Sequence, residues 1–172
     1  VCVASSFRCT IAHKKKALSA LLDPRHSAWF TREERNSIIA LVARTAPLTS
    51  ISPRVLEAEQ HSWVLKPNDA HGGEDVALGW ETDPAQWRAL LEAAQRGDYV
   101  VQERIEPTFG TYPIFDALLP GDGASLRTLI EDCNAYVFRG VLGGILTRLS
   151  DAAVINVSRG GQAIPTFVID PL

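Results

Sequence analysis

The segment WVLKPNDAHGGEDVALGW, residues 63–80, constrains the fold most, because two apolar runs flank a polar turn with adjacent glycines. The runs SWVLKP and DVALGW predict two short β-strands. Asn, Asp and Gly are turn formers, and Gly72 and Gly73 free the backbone for tight turning. The segment therefore predicts a hairpin with a glycine flap, and Lys66 lies at the strand end that leads into this flap.

Lys66 has two possible interpretations. Side chains alternate between the faces of a strand, so Lys66 shares a face with Val64 and lies opposite Trp63 and Leu65. From there it can reach beneath a loop whose backbone N–H groups contact phosphate oxygens. A surface hairpin with a solvated lysine explains the same letters. Two common phosphate loops are excluded, because neither G-x-x-x-x-G-K-[ST] nor G-x-G-x-x-G occurs ahead of a helix.

Apolar residues at helical spacing predict two helices ahead of the hairpin. The first covers residues 14–22 and stops at the Asp-Pro pair that follows. The second runs from about Arg32 to Arg44, behind a capping box formed by Thr31 and Glu34. The residues expected on its apolar stripe are Ile38, Ile39, Leu41 and Val42.

A third helix follows the hairpin, with Asp83 as its N-cap and Gly97 as its C-cap. The residues expected on its buried stripe are Trp87, Leu90, Leu91 and Ala94. After the helix, DYVVQERI has the composition of a strand. From about Thr111 to Val168, short apolar runs between Gly and Pro predict a largely antiparallel sheet. The predicted class is α+β.

The strand DYVVQERI carries polar residues where adenine recognition could occur. Gln102 and Glu103 point to opposite faces just before the strand ends at Pro107. Backbone groups at such a position can pair with a base edge, and the carboxylate can take ribose hydroxyls. An edge strand with polar side chains would account for the same residues.

Two later segments carry further candidates for ligand contact. In GGILTRLS, Arg148 alternates with Leu146 and Ser150, so it either snorkels at a sheet edge or points its charge into a cleft. A fixed guanidinium suits a transferring phosphoryl group. In the glycine-bearing turn INVSRGGQAIP, Asn156 and Arg159 are possible ligand contacts.

Composition excludes several classes of function. The net charge is −3 and the basic run Lys14–Lys16 is short, so we expect no nucleic-acid partner. No apolar run approaches about 18 residues and no signal peptide opens the sequence, so we expect a cytoplasmic protein without a membrane partner. A kinase-like enzyme is disfavoured because H-R-D and D-F-G are absent. The lack of methionine, even at position 1, predicts the carboxy-terminal part of a longer chain.

Four segments together resemble the carboxy-terminal part of the circularly permuted ATP-grasp family, the group similar to glutathionylspermidine synthase. They are SSFRCTIAHKKKALSALL, WVLKPNDAHGGEDVALGW, YVVQERIEP and GGILTRLSDAAVINVSRGGQAIPTFVI. The resemblance implies mostly antiparallel ATP-grasp sheets with flanking helices, incomplete at the amino terminus. Within one such unit, residues 1–60 would form a helical segment with a phosphate lysine, residues 61–106 a glycine-flap subdomain and residues 107–172 a sheet subdomain.

The resemblance also implies roles for individual residues. Lys66 matches one ATP-phosphate lysine, and Lys16 or its neighbour Lys15 matches another. Arg148 matches the arginine that stabilises the transferred group in catalysis. The remaining implied ATP contacts are the flap residues Gly72 and Gly73 and the adenine-hinge residues Gln102 and Glu103.

The implied reaction is ATP-dependent C–N ligation, in which a carboxylate attacks the γ-phosphate and an amine captures the acyl phosphate. A small-molecule carboxylate and an amine would be the partners, and Mg²⁺ would bridge the phosphates. The family's glutamate-x-asparagine magnesium motif would precede residue 1, which leaves Asp69 as the metal candidate. His71 is expected to fill the loop. The alternative is an inactive ATP-grasp remnant that serves as a binding or interaction module.

Overall fold

The computed structural model of the chain describes residues 9–115, 124–155 and 160–168. It comprises two compact units, Val1–Ile105 and Glu106–Leu172. Both contain an antiparallel sheet, and the described helices all lie in the first unit, which confirms the α+β class. No helix in the described ranges has the length and apolar character needed to cross a bilayer.

The first unit alternates short helices with short strands. Its helices are α1 (Cys9–Ala12), α2 (Lys16–Leu22), α3 (Arg32–Leu41), α4 (Pro53–Ala58) and α5 (Pro84–Ala94), with 3₁₀ turns at Pro24–Trp29, Leu48–Ser50 and Gln60–Ser62. Its strands are β1 (Thr45–Pro47), β2 (Trp63–Pro67), β3 (Ala77–Leu78) and β4 (Tyr99–Glu103). β1, from the predicted helical segment 1–60, pairs with β4 from the predicted flap subdomain.

The four strands form one antiparallel sheet in the order β1-β4-β2-β3. β4 lies between β1 and β2, so the alternative of an exposed edge strand for YVVQE is wrong. β2 and β3 form the predicted hairpin around the glycines, although β3 has only two residues. Gly79 directly follows β3 and has no room for a side chain, because a Cβ there would lie 1.9 Å from the Gln60 carbonyl oxygen.

The core of the first unit lies on one face of this sheet. Trp63, Leu65 and Val101 share that face, and they pack against helices α4 and α5. The predicted stripe of α5 is confirmed, since Trp87, Leu91 and Ala94 are buried and Leu90 packs against the core from its rim. The opposite face carries Val64 and Lys66, as the alternation predicts.

Helix α5 begins as predicted but ends differently. The Asp83 side chain accepts hydrogen bonds from two backbone N–H groups of the first turn. The helix ends at Ala94 with Gln95 as its C-cap, so Gly97 is not the cap. Gly97 does not have the positive φ angle that a glycine cap adopts at the end of a helix.

Helix α3 confirms the predicted capping box, and part of its apolar stripe is exposed. Thr31 and Glu34 exchange the expected hydrogen bonds at its start. The helix ends at Leu41, and Ile39 and Leu41 are 69% and 81% exposed. Ile38 and Val42 are half-buried, so the apolar stripe is only partly covered. α3 packs against α2.

The second unit is a meander of antiparallel strands, as predicted. Its strands are β5 (Thr108–Phe115), β6 (Ala124–Phe138), β7 (Val141–Ser150) and β8 (Gln162–Ile164), in that order across the sheet. Arg139 and Gly140 form the turn between β6 and β7 with φ values of 52° and 80°. Two successive positive φ angles define a type I′ hairpin turn, which matches the twist of the flanking strands.

Candidate functional site

Asn68 joins the start of α2 to the glycine flap. It follows β2 directly and is buried. The Lys15 N–H donates to the Asn68 carbonyl oxygen at 3.2 Å, and the Lys16 N–H donates to its side-chain Oδ1 at 2.8 Å. The Asn68 Nδ2 donates to Asp98 Oδ2 at 2.7 Å. These bonds hold segments that are far apart in sequence against each other.

The three consecutive lysines at the start of α2 have different partners. Lys14 forms an ion pair with Asp69, and Lys16 forms an ion pair with Asp98. Lys15 instead donates from Nζ to the Ala70 carbonyl oxygen at 2.8 Å, within the flap. Of the two lysines that the resemblance offered, Lys15 therefore lies against the flap with no carboxylate in an ion pair among the described residues.

Lys66 lies on the sheet face opposite the core, and its partner is neutral. Its Nζ donates to Gln102 Oε1 at 2.6 Å, and Gln102 Nε2 donates to Thr45 Oγ1 at 2.9 Å. The strand register explains this chain of bonds, since Gln102 pairs with Val64 on one side and with Thr45 on the other. Within the described ranges, Lys66 has no carboxylate in an ion pair.

The surroundings of Lys15 and Lys66 disfavour the charged ammonium form of each side chain. Burial lowers the pKa of Lys66 below its usual value, and the positive charge of Lys15 lowers this pKa further. Burial also lowers the pKa of Lys15, an effect that the negative charge of Asp69 opposes. Desolvation and like-charge repulsion both disfavour the ammonium form. The two side chains thus form a partly buried cationic pair that an anion would stabilise.

The flap turns tightly beside this pair. Gly72 and Gly73 have φ values of 65° and 77°, in the left-handed region where a side chain is disfavoured. Asp75 also adopts a positive φ, at 52°. Both Glu74 and Asp75 are exposed. The positive φ angles of the two glycines confirm the predicted tight turn.

The predicted adenine hinge has less free backbone than expected. The Glu103 N–H donates to the Arg44 carbonyl oxygen at 2.8 Å, and the Arg104 N–H donates to the Ser62 carbonyl oxygen at 2.8 Å. A base at this position would meet carbonyl groups or side chains rather than these two N–H groups. Gln102 is already engaged by Lys66, so its side chain positions the lysine.

An open apolar groove of about 610 Å³ reaches the Glu103 end of β4. Leu22 and Ile105 line it together with the last turn of α3, including the exposed Ile39 and Leu41. The exposed carboxylate of Glu103 lies at the same groove. Apolar walls with a polar group at the rim are the usual lining of a small-molecule site.

Asp69, the predicted metal candidate, lies among cations and imidazoles. Its Oδ1 is 3.0 Å from His13 Nε2, and its Oδ2 accepts from Lys14. Lys14 first and His13 second lower the pKa of the Asp69 carboxyl to about 2. His71 completes a group whose ligand atoms lie within 4.8 Å of one another. Mg²⁺ prefers all-oxygen coordination, so this group does not fit it.

Arg148 is interior to the sheet of the second unit. β7 lies between β6 and β8, so the interpretation of a snorkelling edge residue is wrong. The Arg148 guanidinium forms an ion pair with Asp132, its register partner on β6. Its buried Nε has no hydrogen-bond partner among the residues that the structure describes. Asn156 and Arg159 lie outside the described residues.

Sequence reasoning missed three residues of this site. The sequence predicts Asn68 only as a turn former, although Asn side chains often form hydrogen bonds with backbone groups. Thr45 lies in a strand too short to leave a periodic pattern. His13 carries no local signal, because its contact with Asp69 spans 56 residues.

Comparison with known proteins identifies no relative by sequence. No protein-family model matches the chain, and a search of curated proteins finds no match. The ATP-grasp relationship is therefore a proposal based on the four sequence segments and on the geometry of Lys15, Lys66 and the flap.

Proposed function

We propose that the chain is the nucleotide-binding portion of an ATP-dependent carboxylate–amine ligase. In this proposal the polyphosphate lies between Lys15, Lys66 and the glycine flap. The observation that supports it is the cationic pair, in which neither described lysine has a carboxylate partner. When bound, ATP would supply the γ-phosphoryl group that activates a carboxylate.

Electrostatics favour an anion at this position. The positive charge of Lys15 disfavours the ammonium form of Lys66, and burial removes part of the hydration of both groups. Phosphate oxygens would restore hydrogen bonds to both groups and neutralise the repulsion. Charge-assisted hydrogen bonds of this type are stronger than bonds between neutral groups. Gln102 keeps Lys66 extended over the sheet, so less side-chain entropy is lost on binding.

The groove at the end of β4 suits the nucleoside. Ile39, Leu41 and Ile105 offer apolar contact to a base, and Glu103 can accept from ribose hydroxyls. Glu103 is at the end of β4 and points away from the face of Lys66 and Gln102. The sugar would therefore lie at the strand end, and the phosphates would lie over that face. This arrangement keeps the predicted role of Glu103 and gives Gln102 the role of a positioning residue.

The alternative is a binding module without phosphoryl transfer. Two observations favour it: Asp69 lies in a group that does not suit Mg²⁺, and Arg148 is neutralised by Asp132. In that case nucleotide affinity would be the same with and without Mg²⁺. A large gain in ATP affinity on adding Mg²⁺ would instead favour the ligase.

Calorimetric titration of the chain with ATP and with tripolyphosphate tests the proposal. We expect saturable binding of both, and Lys66→Met should weaken both by about 10- to 100-fold, the size of one charged hydrogen bond. The matched control is Arg88→Met, which removes an exposed cation of the same unit that pairs with Glu57. Equal affinities of wild type and Lys66→Met, or equal losses in both variants, would contradict the site.

The substitution Ile105→Ala tests the contact with the base independently of the contacts with the phosphates. Its side chain is 68% exposed in the groove, so the substitution should leave the fold intact. ATP affinity should fall several-fold, because apolar contact with the base is lost, and tripolyphosphate affinity should stay constant. A parallel loss for both ligands would count against the groove as the nucleoside site.

A further inference from the structure

We propose that His13, Asp69 and His71 form a site for a divalent transition metal of the Zn²⁺ class. The group consists of two imidazoles and one carboxylate, all of them exposed. This site does not depend on the proposed nucleotide function, because its ligands are distinct from Lys15, Lys66 and the groove.

The three side chains already converge. His13 Nε2 and Asp69 Oδ1 are 3.0 Å apart, and the rings of His13 and His71 have centroids 5.1 Å apart. Two ligand atoms at about 2 Å from one tetrahedral metal lie roughly 3.4 Å from each other. All three ligand atoms lie within 4.8 Å of one another, so small rotations of exposed side chains complete the geometry.

The scaffold beneath the ligands is independent of any metal. Asn68 directly precedes Asp69, and it accepts hydrogen bonds from the Lys15 and Lys16 N–H groups, which follow His13 closely in the chain. The Lys15 ammonium also holds the Ala70 carbonyl, between Asp69 and His71. Two segments 56 residues apart are thereby fixed in register, and the ordering that metal binding requires is reduced.

The two carboxylate oxygens of Asp69 have separate partners. Oδ2 accepts from Lys14, whereas Oδ1 faces His13. A metal can replace the hydrogen between His13 and Oδ1 while Lys14 stays on Oδ2 and orients the carboxylate. Ligating carboxylates commonly have such an outer hydrogen-bond donor.

The donor set selects the metal. Imidazole nitrogen suits Zn²⁺, Cu²⁺, Ni²⁺ and related ions, whereas Mg²⁺ takes oxygen ligands. With three protein ligands, a water molecule would complete a tetrahedral site. We therefore expect the group to discriminate strongly against Mg²⁺.

Cobalt titration of the chelator-treated full chain tests this site, because four-coordinate Co²⁺ absorbs visible light intensely. We expect one Co²⁺ per chain, displaced by Zn²⁺ but not by excess Mg²⁺. His13→Ala and His71→Ala should each weaken binding by more than about tenfold, the loss that even an outer-shell partner can cause. His61→Ala is the matched control, since His61 is exposed and lies outside the group.

A second measurement needs no variant that might fail to fold. In ¹H–¹⁵N spectra of the wild-type imidazoles, Zn²⁺ should shift the signals of His13 and His71 and leave those of His26 and His61 unchanged. Equal shifts of all four histidines would overturn the proposal. Absence of saturable Co²⁺ binding, or unchanged binding in His13→Ala and His71→Ala, would also overturn it.

Discussion

Lys66 and Arg148 occupy similar positions in the two units but hold their charges differently. Each lies on an interior strand of a four-stranded antiparallel sheet. Arg148 faces a carboxylate, Asp132, on the neighbouring strand, whereas Lys66 faces a neutral amide, Gln102. A cation beside a carboxylate is already stabilised by its own fold, while a cation beside an amide is available to an anionic ligand.

This comparison changes the weight of the predicted site residues. Asp132 already neutralises the charge of Arg148, so a phosphoryl group would compete with this carboxylate for the guanidinium. Lys66 faces a neutral amide instead, so a phosphate oxygen can bind Nζ beside Gln102. Substitutions should therefore affect folding stability at Arg148 and ligand affinity at Lys66.

The largest effect is expected on breaking the ion pair of the second unit. Asp132→Ala leaves the half-buried Arg148 guanidinium without its partner, and the free energy of unfolding should fall by about 1–3 kcal/mol. The measurement is equilibrium urea unfolding. Asp151→Ala is the control, because its pair with Arg127 is largely exposed and should contribute little. A double variant, Asp132→Ala with Arg148→Met, should recover part of the loss; no recovery would mean that the charge of Arg148 is not the cause.

A smaller effect is expected from the lysines at the start of α2. Lys15→Met should weaken tripolyphosphate binding by about tenfold, because one partly buried charged contact is lost. Lys16→Met should change this affinity little, since its ammonium is directed to Asp98. Calorimetry on both variants decides between the two alternatives that the resemblance left open. A larger loss for Lys16→Met would reverse the assignment.

The smallest effect concerns the pH dependence of stability in the ligand-free chain. The pKa of Lys66 in the folded state lies below its ordinary value of 10.5. Protonation therefore favours the unfolded state, and the penalty is fully present below the lowered pKa. As pH rises from the lowered pKa towards 10.5, wild type should gain stability relative to Lys66→Met.

Thermal unfolding of both proteins across neutral to alkaline pH measures this difference. Tripolyphosphate should reduce the penalty at neutral pH in wild type, because the anion stabilises the ammonium form. A stability difference that stays constant across the alkaline range would show that the charge of Lys66 carries no folding cost.

The sequence determined the elements whose causes are local. The capping box of Thr31 and Glu34, the Asp83 cap, the buried stripe of α5 and the hairpin around the glycines all follow from residues within a few positions of each other. Alternation along β2 also placed Lys66 correctly on the face opposite the core. Side-chain direction in a strand or helix is set by backbone geometry, so local sequence is sufficient.

Tertiary structure alone decided which side chains found partners. The exposure of Ile39 and Leu41 depends on what α3 packs against. The different partners of Lys15 and Lys16 depend on where Ala70 and Asp98 lie. Likewise, Gln102 contacts Lys66 because β4 pairs with β2 in the sheet. Such contacts span tens of residues, and their energies depend on distance and burial, which no local pattern in the sequence encodes.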